Sequence, residues 1–316
     1  MENSNNNFKA IIYVLLGMTV FAIQDTFIKL ILDNTNLYLI YFVRCIIGLT
    51  VIIIYLKYKK LDIIFRTNYL TLTVIRTIAF FFGFSLYYYS LSKLSLPIAV
   101  TLFFVSPFFT SIFSMIIIGE KVGIRRWLAI IIGFLGVYLV MNPDFKNFNI
   151  YSLFPVICAI CYSFTIIVHK KTSDKDNVFS QIIHIYISAL MFSFIIKLFI
   201  LNFNFDTSTI NEYQSLLIEW KIENIFSFFM LMGIGFTGVI GFFCLFTAYN
   251  TGSPSVIAPF EYILIVWALI IGWFLWSETL TIKGYLGLIL IILAGIYTFL
   301  REAKLNKEIS LDKPLR

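Results

Sequence analysis

The stretch APFEYILIVWALIIGWFLW, residues 258–276, indicates the class of fold, because it is apolar almost throughout for nineteen residues. A helix needs about 20 such residues to cross a hydrocarbon layer of about 30 Å. The stretch therefore predicts a membrane-spanning helix, and its fourth residue, Glu261, is a carboxylate inside that helix. Runs of similar length, divided by short polar breaks, recur along the whole chain.

The composition supports the same class. Hydrophobic residues make up 60% of the 316 residues and charged residues only 13%, whereas soluble domains carry about 25% charged residues. A transmembrane β-barrel is excluded, because its strands would alternate polar and apolar residues in segments of about ten. The first apolar run, 11–32, is too long for a signal peptide and lacks a small-residue cleavage site. We therefore predict an all-α polytopic membrane protein that keeps this first run as a span.

The cysteines and the net charge suggest no metal, cofactor or nucleic acid. All four cysteines fall inside apolar runs. Cys158 and Cys161 have CxxC spacing, but no other ligands accompany them, so we interpret them as packing residues. The net charge of +7 is assigned to the cytoplasmic membrane face, where basic residues gather.

Breaks between the apolar runs predict ten transmembrane helices. The predicted spans are 9–32, 37–56, 69–91, 95–118, 126–142, 149–170, 178–202, 223–249, 254–276 and 283–300. Placing both termini in the cytoplasm puts 16 of the 24 basic residues on the inner side and 4 in outer loops. Cytoplasmic loops carry the excess of Lys and Arg. The count predicts that both termini are cytoplasmic and that the acidic loop 202–224 lies outside.

The chain also repeats itself. GEKVGIRRW at 119–127 parallels SETLTIKGY at 277–285, 158 residues later, and each is followed by a glycine-bearing apolar run. Each half holds five predicted spans, and because five is odd the second half must enter the membrane inverted. Inverted repeats are typical of secondary transporters, whose substrate site lies near the midplane between the halves. The predicted units are 1–142, 143–303 and a cytoplasmic tail at 304–316.

These features together resemble the EamA family of the drug/metabolite transporter superfamily. The resemblance rests on GEKVGIRRWLAIIIGFLGVYLV after span four, on SETLTIKGYLGLILIILAGIYTFL after span nine, and on an early arginine in span two (YFVRCIIGL). It implies two inverted five-helix repeats and alternating access across the inner (plasma) membrane of a bacterial-type cell. Family substrates include amino acids, nucleotides and cofactors, and some members carry S-adenosylmethionine or riboflavin. Nothing in the sequence selects one of these.

Charged residues inside the spans are the first candidates for a site, because each costs about 2.5–3.5 kcal/mol to insert and therefore faces a partner or a cavity. Asp25 and Lys29 are four residues apart on one helical face and can neutralise each other. Arg44 and Arg76 are flanked by apolar sequence and cannot lose their protons. Each arginine either bonds internally, to carbonyls or to Asp25, or docks a substrate carboxylate or phosphate. His184 is either hydrogen-bonded filler or a proton relay.

Glu261 is too deep to reach the interface, at roughly 12 Å if the span starts near residue 254. Pro259 precedes it and loosens the helix there. Three roles stay open: an ion pair with Arg44 or Arg76, binding of a substrate amine or cation, and proton coupling. Phe103 is its counterpart 158 residues earlier, so the repeat itself does not require a carboxylate. This asymmetry favours a function for Glu261.

Aromatic residues make up 18% of the chain. Most are interpreted as packing or interfacial residues, while a few are expected to line a cavity, where rings beside a carboxylate suit an organic cation. The predicted substrate-binding residues are Glu261, Arg76, Arg44, Tyr262, Trp267, Tyr88 and Phe103. The residues predicted for coupling or ion pairing are Glu261, Asp25 and His184.

The sequence thus predicts a secondary transporter of a small polar metabolite, with an amino acid or amine-bearing derivative favoured by the mixed charges. Its expected partners are the substrate, membrane lipid, and a proton or counter-substrate, with no cofactor. A non-transporting membrane scaffold or accessory subunit is the alternative, although it needs no inward charges. An enzyme is not expected, because the chain has no paired catalytic carboxylates, HExxH, nucleophile elbow or phosphate loop.

Overall fold

The computed structural model describes residues 2–119, 128, 131–132, 135–136, 138–140, 149–202, 213–252 and 257–311. Within these ranges the chain forms helices and connecting turns without strands, which confirms the all-α class. The α-helices are α1 (Glu2–Ile31), α2 (Leu37–Tyr58), α3 (Leu70–Leu91), α4 (Leu96–Phe103), α5 (Ser106–Phe113), α6 (Leu153–Thr172), α7 (Val178–Leu201), α8 (Gln214–Leu217), α9 (Ile225–Thr251), α10 (Ile263–Trp276) and α11 (Ile282–Leu311). A π-helical turn (Ser114–Ile118) and 3₁₀ turns (Ile150–Ser152 and Ala258–Tyr262) complete the described elements.

Seven helical segments in the described part of the chain are long and apolar enough to cross a membrane. They are Phe8–Ile31, Leu37–Tyr58, Leu70–Leu91, Leu96–Ile118, Ile150–Thr172, Val178–Leu201 and Ile225–Thr251. Two shorter apolar segments, Phe260–Trp276 and Ile282–Ala294, coincide with the ninth and tenth predicted spans. The fifth predicted span, 126–142, lies largely outside the described residues, as does most of the GEKVGIRRW motif. The count of ten spans and the inverted repeat therefore stay predictions.

Asparagines in the polar breaks determine where several spans begin. The side chains of Asn36, Asn177 and Asn224 precede α2, α7 and α9 and accept hydrogen bonds from the first backbone N–H groups of those helices. An asparagine cap satisfies a donor that would otherwise have no partner at a helix start. The predicted boundaries at 37, 178 and 223 lie within two residues of these starts for this reason.

The fourth and ninth predicted spans are irregular at corresponding places. The fourth breaks between α4 and α5 at Phe104 and Val105, before Pro107, and the ninth changes from a 3₁₀ turn to an α-helix at Tyr262 and Ile263. The two irregularities are 158 residues apart, which is the spacing of the repeated motif. The rings of Phe104 and Tyr262 pack against each other with centroids 5.1 Å apart, so these corresponding positions meet in the bundle.

Helix pairs bring the polar residues towards the centre. α1 packs along α9, α3 along α6, and α2 along both α7 and α9. The close approach of α1 and α9 depends on Gly241, because a Cβ there would lie 2.6 Å from the ring of Phe21. Small residues permit such approaches between membrane helices, where lipid provides no hydrophobic drive for association.

Loops that are predicted to share a membrane face lie at the same end of the bundle. At the predicted outer end, the Asn36 amide donates to the carbonyls of Leu216 and Ile218 at 2.7 and 2.8 Å. At the predicted inner end, Asp176 accepts hydrogen bonds from Thr67 and Asn68. The grouping of the loops agrees with the predicted topology, while the face that each end presents stays a prediction.

Candidate functional site

A small cavity lies at the centre of the bundle, between α1, α3 and α9. Its free volume is about 40 Å³, which is room for a water molecule or two and not for a metabolite. A molecule of that size could occupy it only if the helices moved apart. The lining residues are Met18, Phe21, Gln24, Asp25, Arg44, Phe80, Phe84, Tyr87, Tyr88, Phe103, Tyr162, Phe242, Leu245 and Leu264.

Two opposite charges face this cavity without touching each other. Asp25 accepts a hydrogen bond of 2.8 Å from the Tyr87 hydroxyl. Arg44 Nη1 donates to the Tyr88 hydroxyl at 3.0 Å, and Gln24 Nε2 donates to the same oxygen at 2.9 Å. Among the described residues, Asp25 and Arg44 form no ion pair. Each charge is therefore held by neutral groups and keeps its capacity to bind an oppositely charged group.

Arg44 has further hydrogen-bonding capacity. Its Nε and the Oε1 atom of Gln24 are buried and have no hydrogen-bond partner. The guanidinium carbon lies 5.5 Å from the ring centroid of Phe242, a cation–π distance. The guanidinium packs directly over Gly238, where a Cβ would lie 2.8 Å from Nε. Arg44 therefore keeps one donor, its Nε, that no described protein group satisfies.

Aromatic rings form most of the cavity wall. Phe84 packs 5.8 Å from Tyr88 and 6.3 Å from Phe103, measured between ring centroids. Phe103 in turn lies 5.1 Å from Tyr162. Stacked and tilted rings around a carboxylate and a guanidinium suit a ligand that has both flat apolar parts and formal charges.

Glu261 lies behind this wall. It is 1% exposed and is absent from the cavity lining among the described residues. Its Oε1 accepts hydrogen bonds from Tyr162 at 3.0 Å and from Tyr249 at 2.5 Å. Tyr162 therefore stands between Glu261 and the cavity, and it contacts both.

Arg76 belongs to a second buried polar cluster. Its Nη1 donates to Gln181 Oε1, which also lies 2.7 Å from His169 Nδ1 and accepts a hydrogen bond from Thr172. His169 is fully buried and stacks on Phe246 at 3.9 Å between centroids. None of these residues is among the described lining of the central cavity.

The remaining predicted site residues make structural contacts away from the cavity. Tyr262 donates to the carbonyl of Ile291 at 3.4 Å, and Trp267 Nε1 donates to Thr19 at 3.0 Å, joining α10 to α1. His184 Nε2 lies 2.8 Å from the carbonyl of Phe65. The expected Asp25–Lys29 neutralisation is wrong, because Lys29 instead pairs with Glu278 at 2.8 Å. The structure thus brings Arg44, Tyr88, Phe103 and Asp25 together, with Glu261 one residue behind them.

Sequence reasoning missed the neutral residues that hold these charges. Gln24, Tyr87, Tyr162 and Tyr249 were not candidates, because a tyrosine among so many aromatics carries no signal of its own. Gln24 did carry a signal, since it is a polar residue directly before Asp25 in an apolar span. Polar residues inside membrane helices bond to one another because lipid offers no alternative partner.

Comparison with known proteins identifies the family to which the chain belongs. A sequence model of the EamA-like transporter family matches residues 8–142 and 149–300. A solved crystal structure is similar over 96% of this chain and 99% of its own, with a TM-score of 0.65 at 13% identity. That likeness shows a shared fold.

Curated relatives are similar over most of the chain at low identity. The S-adenosylmethionine uptake transporter of Rickettsia prowazekii is 23% identical over 93% of this chain and 93% of its own. The riboflavin transporter of Vibrio cholerae is 23% identical over 97% of this chain and 98% of its own. The pseudopaline exporter CntI of Pseudomonas aeruginosa is 22% identical over 90% of this chain and 94% of its own.

Proposed function

Because the chain belongs to the EamA-like transporter family, we propose that it carries an amine-bearing, zwitterionic metabolite through the cavity between α1, α3 and α9. The broader class is shown: it is a multi-pass membrane protein whose relatives are metabolite transporters. The proposal concerns the chemical class of the substrate. It depends on the charges that face the cavity.

The observation that supports it is the separation of Asp25 from Arg44. Both line the same cavity, and each is held by tyrosine hydroxyls instead of by the other. A zwitterion would give Asp25 an ammonium group and Arg44 a carboxylate. Both charges would then be paired when the substrate is bound, which offsets the cost of removing them from water.

The aromatic wall of the cavity further narrows the proposed class of substrate. A flat ring or an organic cation gains contact with Phe84, Phe103 and Phe242, and a desolvated cation–π contact is worth about 2 kcal/mol. S-adenosylmethionine combines an ammonium, a carboxylate, a sulfonium and a flat base. It therefore matches every part of the wall and is the first compound to test.

Riboflavin is the principal competing substrate, because one relative that covers nearly the whole chain is a riboflavin transporter. It has a flat ring system but neither an ammonium nor a carboxylate. It would use the rings and leave Asp25 and Arg44 without charged partners. The scaffold alternative assigns no role to either residue.

The first prediction tests this assignment in proteoliposomes that contain the purified protein. We expect uptake of radiolabelled S-adenosylmethionine and competition by unlabelled S-adenosylmethionine but not by riboflavin. Asp25→Asn and Arg44→Lys should each weaken apparent affinity about tenfold or more, which corresponds to about 1.4 kcal/mol per factor of ten. Arg44→Lys keeps the charge but loses the planar fork of donors.

Asp33→Asn is the matched control, because Asp33 is an exposed carboxylate just beyond α1. It should transport as the wild type does. Uptake of riboflavin that is unaffected by Asp25→Asn would overturn the zwitterion proposal. The absence of S-adenosylmethionine uptake by correctly inserted protein would overturn this compound as the substrate.

A further inference from the structure

Glu261 occupies an unusual position for a carboxylate in a membrane protein. It lies on the 3₁₀ turn Ala258–Tyr262, is 1% exposed, and accepts hydrogen bonds from two tyrosines that belong to different helices. Tyr162 on α6 donates at 3.0 Å and Tyr249 on α9 donates at 2.5 Å, both to Oε1. The carboxylate therefore links three separate elements through neutral groups.

No described residue supplies a compensating charge. The ion pair formed by the described residues is Lys29–Glu278, away from Glu261. Lys170 donates to the backbone carbonyl of Tyr249, not to the carboxylate. The titratable groups that face Glu261 are the hydroxyls of Tyr162 and Tyr249 and, on its own turn, Tyr262. α1, α4 and α11 bring no described charged group to it.

An ionised carboxylate without a nearby cation is costly to bury, by several kcal/mol in proteins. Binding a proton removes that cost, and the surroundings accept either form. A tyrosine hydroxyl both donates and accepts, so it donates to the carboxylate and accepts from the carboxylic acid. Both states of Glu261 are hydrogen-bonded, which is what a reversible proton site requires.

Tyr162 connects this site to the cavity. Its side chain lines the cavity and its hydroxyl bonds to Glu261. When Glu261 is ionised, the Tyr162 proton points at the carboxylate. When Glu261 is protonated, the acid donates to the Tyr162 oxygen, and the Tyr162 proton is free to turn towards the cavity. The donors available to a substrate thus depend on whether Glu261 carries a proton.

We propose that Glu261 is a proton-binding site that couples substrate movement to the proton gradient, with Tyr162 transmitting its state to the central cavity. The inference rests on the proposed transport function. It assigns Glu261 to the proton and leaves the substrate's charges to Asp25 and Arg44.

The experiment compares two transport modes of the same proteoliposomes, with radiolabelled S-adenosylmethionine as the probe. One mode is accumulation driven by an imposed pH gradient, and the other is exchange at equal pH on both sides. We expect the wild type to show both. Glu261→Gln should keep exchange within about twofold and lose the gradient-driven accumulation, because glutamine preserves the hydrogen-bond acceptor but cannot bind and release a proton.

Glu223→Gln is the matched control, because it neutralises an exposed carboxylate before α9. It should retain both modes. Gradient-driven accumulation by Glu261→Gln at the wild-type level would overturn the proposal, as would wild-type accumulation that is independent of the gradient. If Glu261→Gln does not insert, Glu261→Asp replaces it. A shifted pH profile of accumulation then supports the proposal and an unchanged profile overturns it.

A measurement without substrate separates this inference from the transport proposal. Infrared difference spectra of the purified protein across a pH titration should show a buried carboxylic acid band that persists in Asp25→Asn and is lost in Glu261→Gln. If the wild type exchanges no S-adenosylmethionine, the substrate proposal fails while this band still tests the proton site. Absence of the band from the wild type overturns the proton site whatever the substrate is.

Discussion

At the scale of single residues, Arg76 shows how a neutral side chain helps to hold a buried charge inside the bundle. Its guanidinium donates to the side-chain oxygen of Gln181, and His169 and Thr172 contact the same oxygen. Gln181 is completely buried, and its own amide donates to the carbonyl of Asp176 at 3.1 Å. One neutral side chain thus satisfies groups from α3 and α6. The sequence predicts that Arg76 docks a substrate, and this role stays a prediction. The cluster around Gln181 offers an alternative, in which Arg76 has a structural role.

We therefore predict that Gln181→Leu destabilises the protein by about 3 kcal/mol, because it leaves a buried guanidinium and its neighbours without their acceptor. The midpoint of unfolding in detergent measures the loss. Gln214→Ala is the control, since the Gln214 amide makes an exposed hydrogen bond of 2.9 Å to the carbonyl of Asp33. Equal midpoints for the two variants would contradict a structural role for the Gln181 cluster.

At the scale of elements, short polar contacts hold the helix ends together at both ends of the bundle. At the predicted outer end, Glu278 binds Lys29 at 2.8 Å and accepts the backbone N–H of Leu96 at 2.8 Å, which ties the connection between α10 and α11 to α1 and to the start of α4. At the predicted inner end, Asp176 accepts hydrogen bonds from Thr67 and from both nitrogens of Asn68. A movement that separates the helices at one end would strain or break the contacts at that end.

The contact at Asp176 predicts a pH dependence of stability. Burial by itself raises the pKa of this carboxyl, but the hydrogen bonds from Thr67 and Asn68 outweigh it and hold the pKa below its ordinary value of 3.8. A lowered pKa in the folded state gives stability that is present above pH 3.8 and is lost as the pH falls through the folded-state value. Unfolding midpoints should therefore separate wild type from Asp176→Asn at pH 6 and converge below pH 3.8. A constant gap over this range would contradict the assignment.

At the scale of the whole molecule, the described helices form one bundle around a central cavity, and the loops are sorted into two ends. The grouping of the loops agrees with the predicted topology, and the excess of basic residues predicts that the end that holds Ser173 faces the cytoplasm. The cavity has a free volume of about 40 Å³ in this conformation. The proposed transport through this cavity predicts that the bundle opens at one end at a time.

The orientation is tested by labelling in intact cells with a thiol reagent that does not cross the membrane. A cysteine placed at Glu219 should react from outside, whereas one placed at Ser173 should react only after the cells are opened. Three of the four native cysteines are buried and Cys161 is half-buried, so labelling of the unmodified protein gives the background. Labelling of Ser173→Cys in intact cells, without labelling of Glu219→Cys, would reverse the predicted topology.

The sequence by itself determined the membrane class, the approximate limits of the described spans and the presence of charges inside them. Each of these depends on local properties: apolar length, the asparagine caps before α2, α7 and α9, and single ionisable residues in apolar runs. The irregular helix segments near Pro107 and Pro259 also have a local cause, because proline lacks the backbone donor that a regular helix needs.

Only the tertiary structure decided which buried groups meet. Lys29 does not pair with Asp25, four residues before it, but with Glu278, 249 residues after it. Asp25 and Arg44 reach one cavity, while Glu261 stays behind Tyr162. The physical reason is that these helices are apolar on every side, so the hydrophobic pattern does not fix their rotation. Glycine contacts and hydrogen bonds between helices fix it instead, and they exist only once the bundle has assembled.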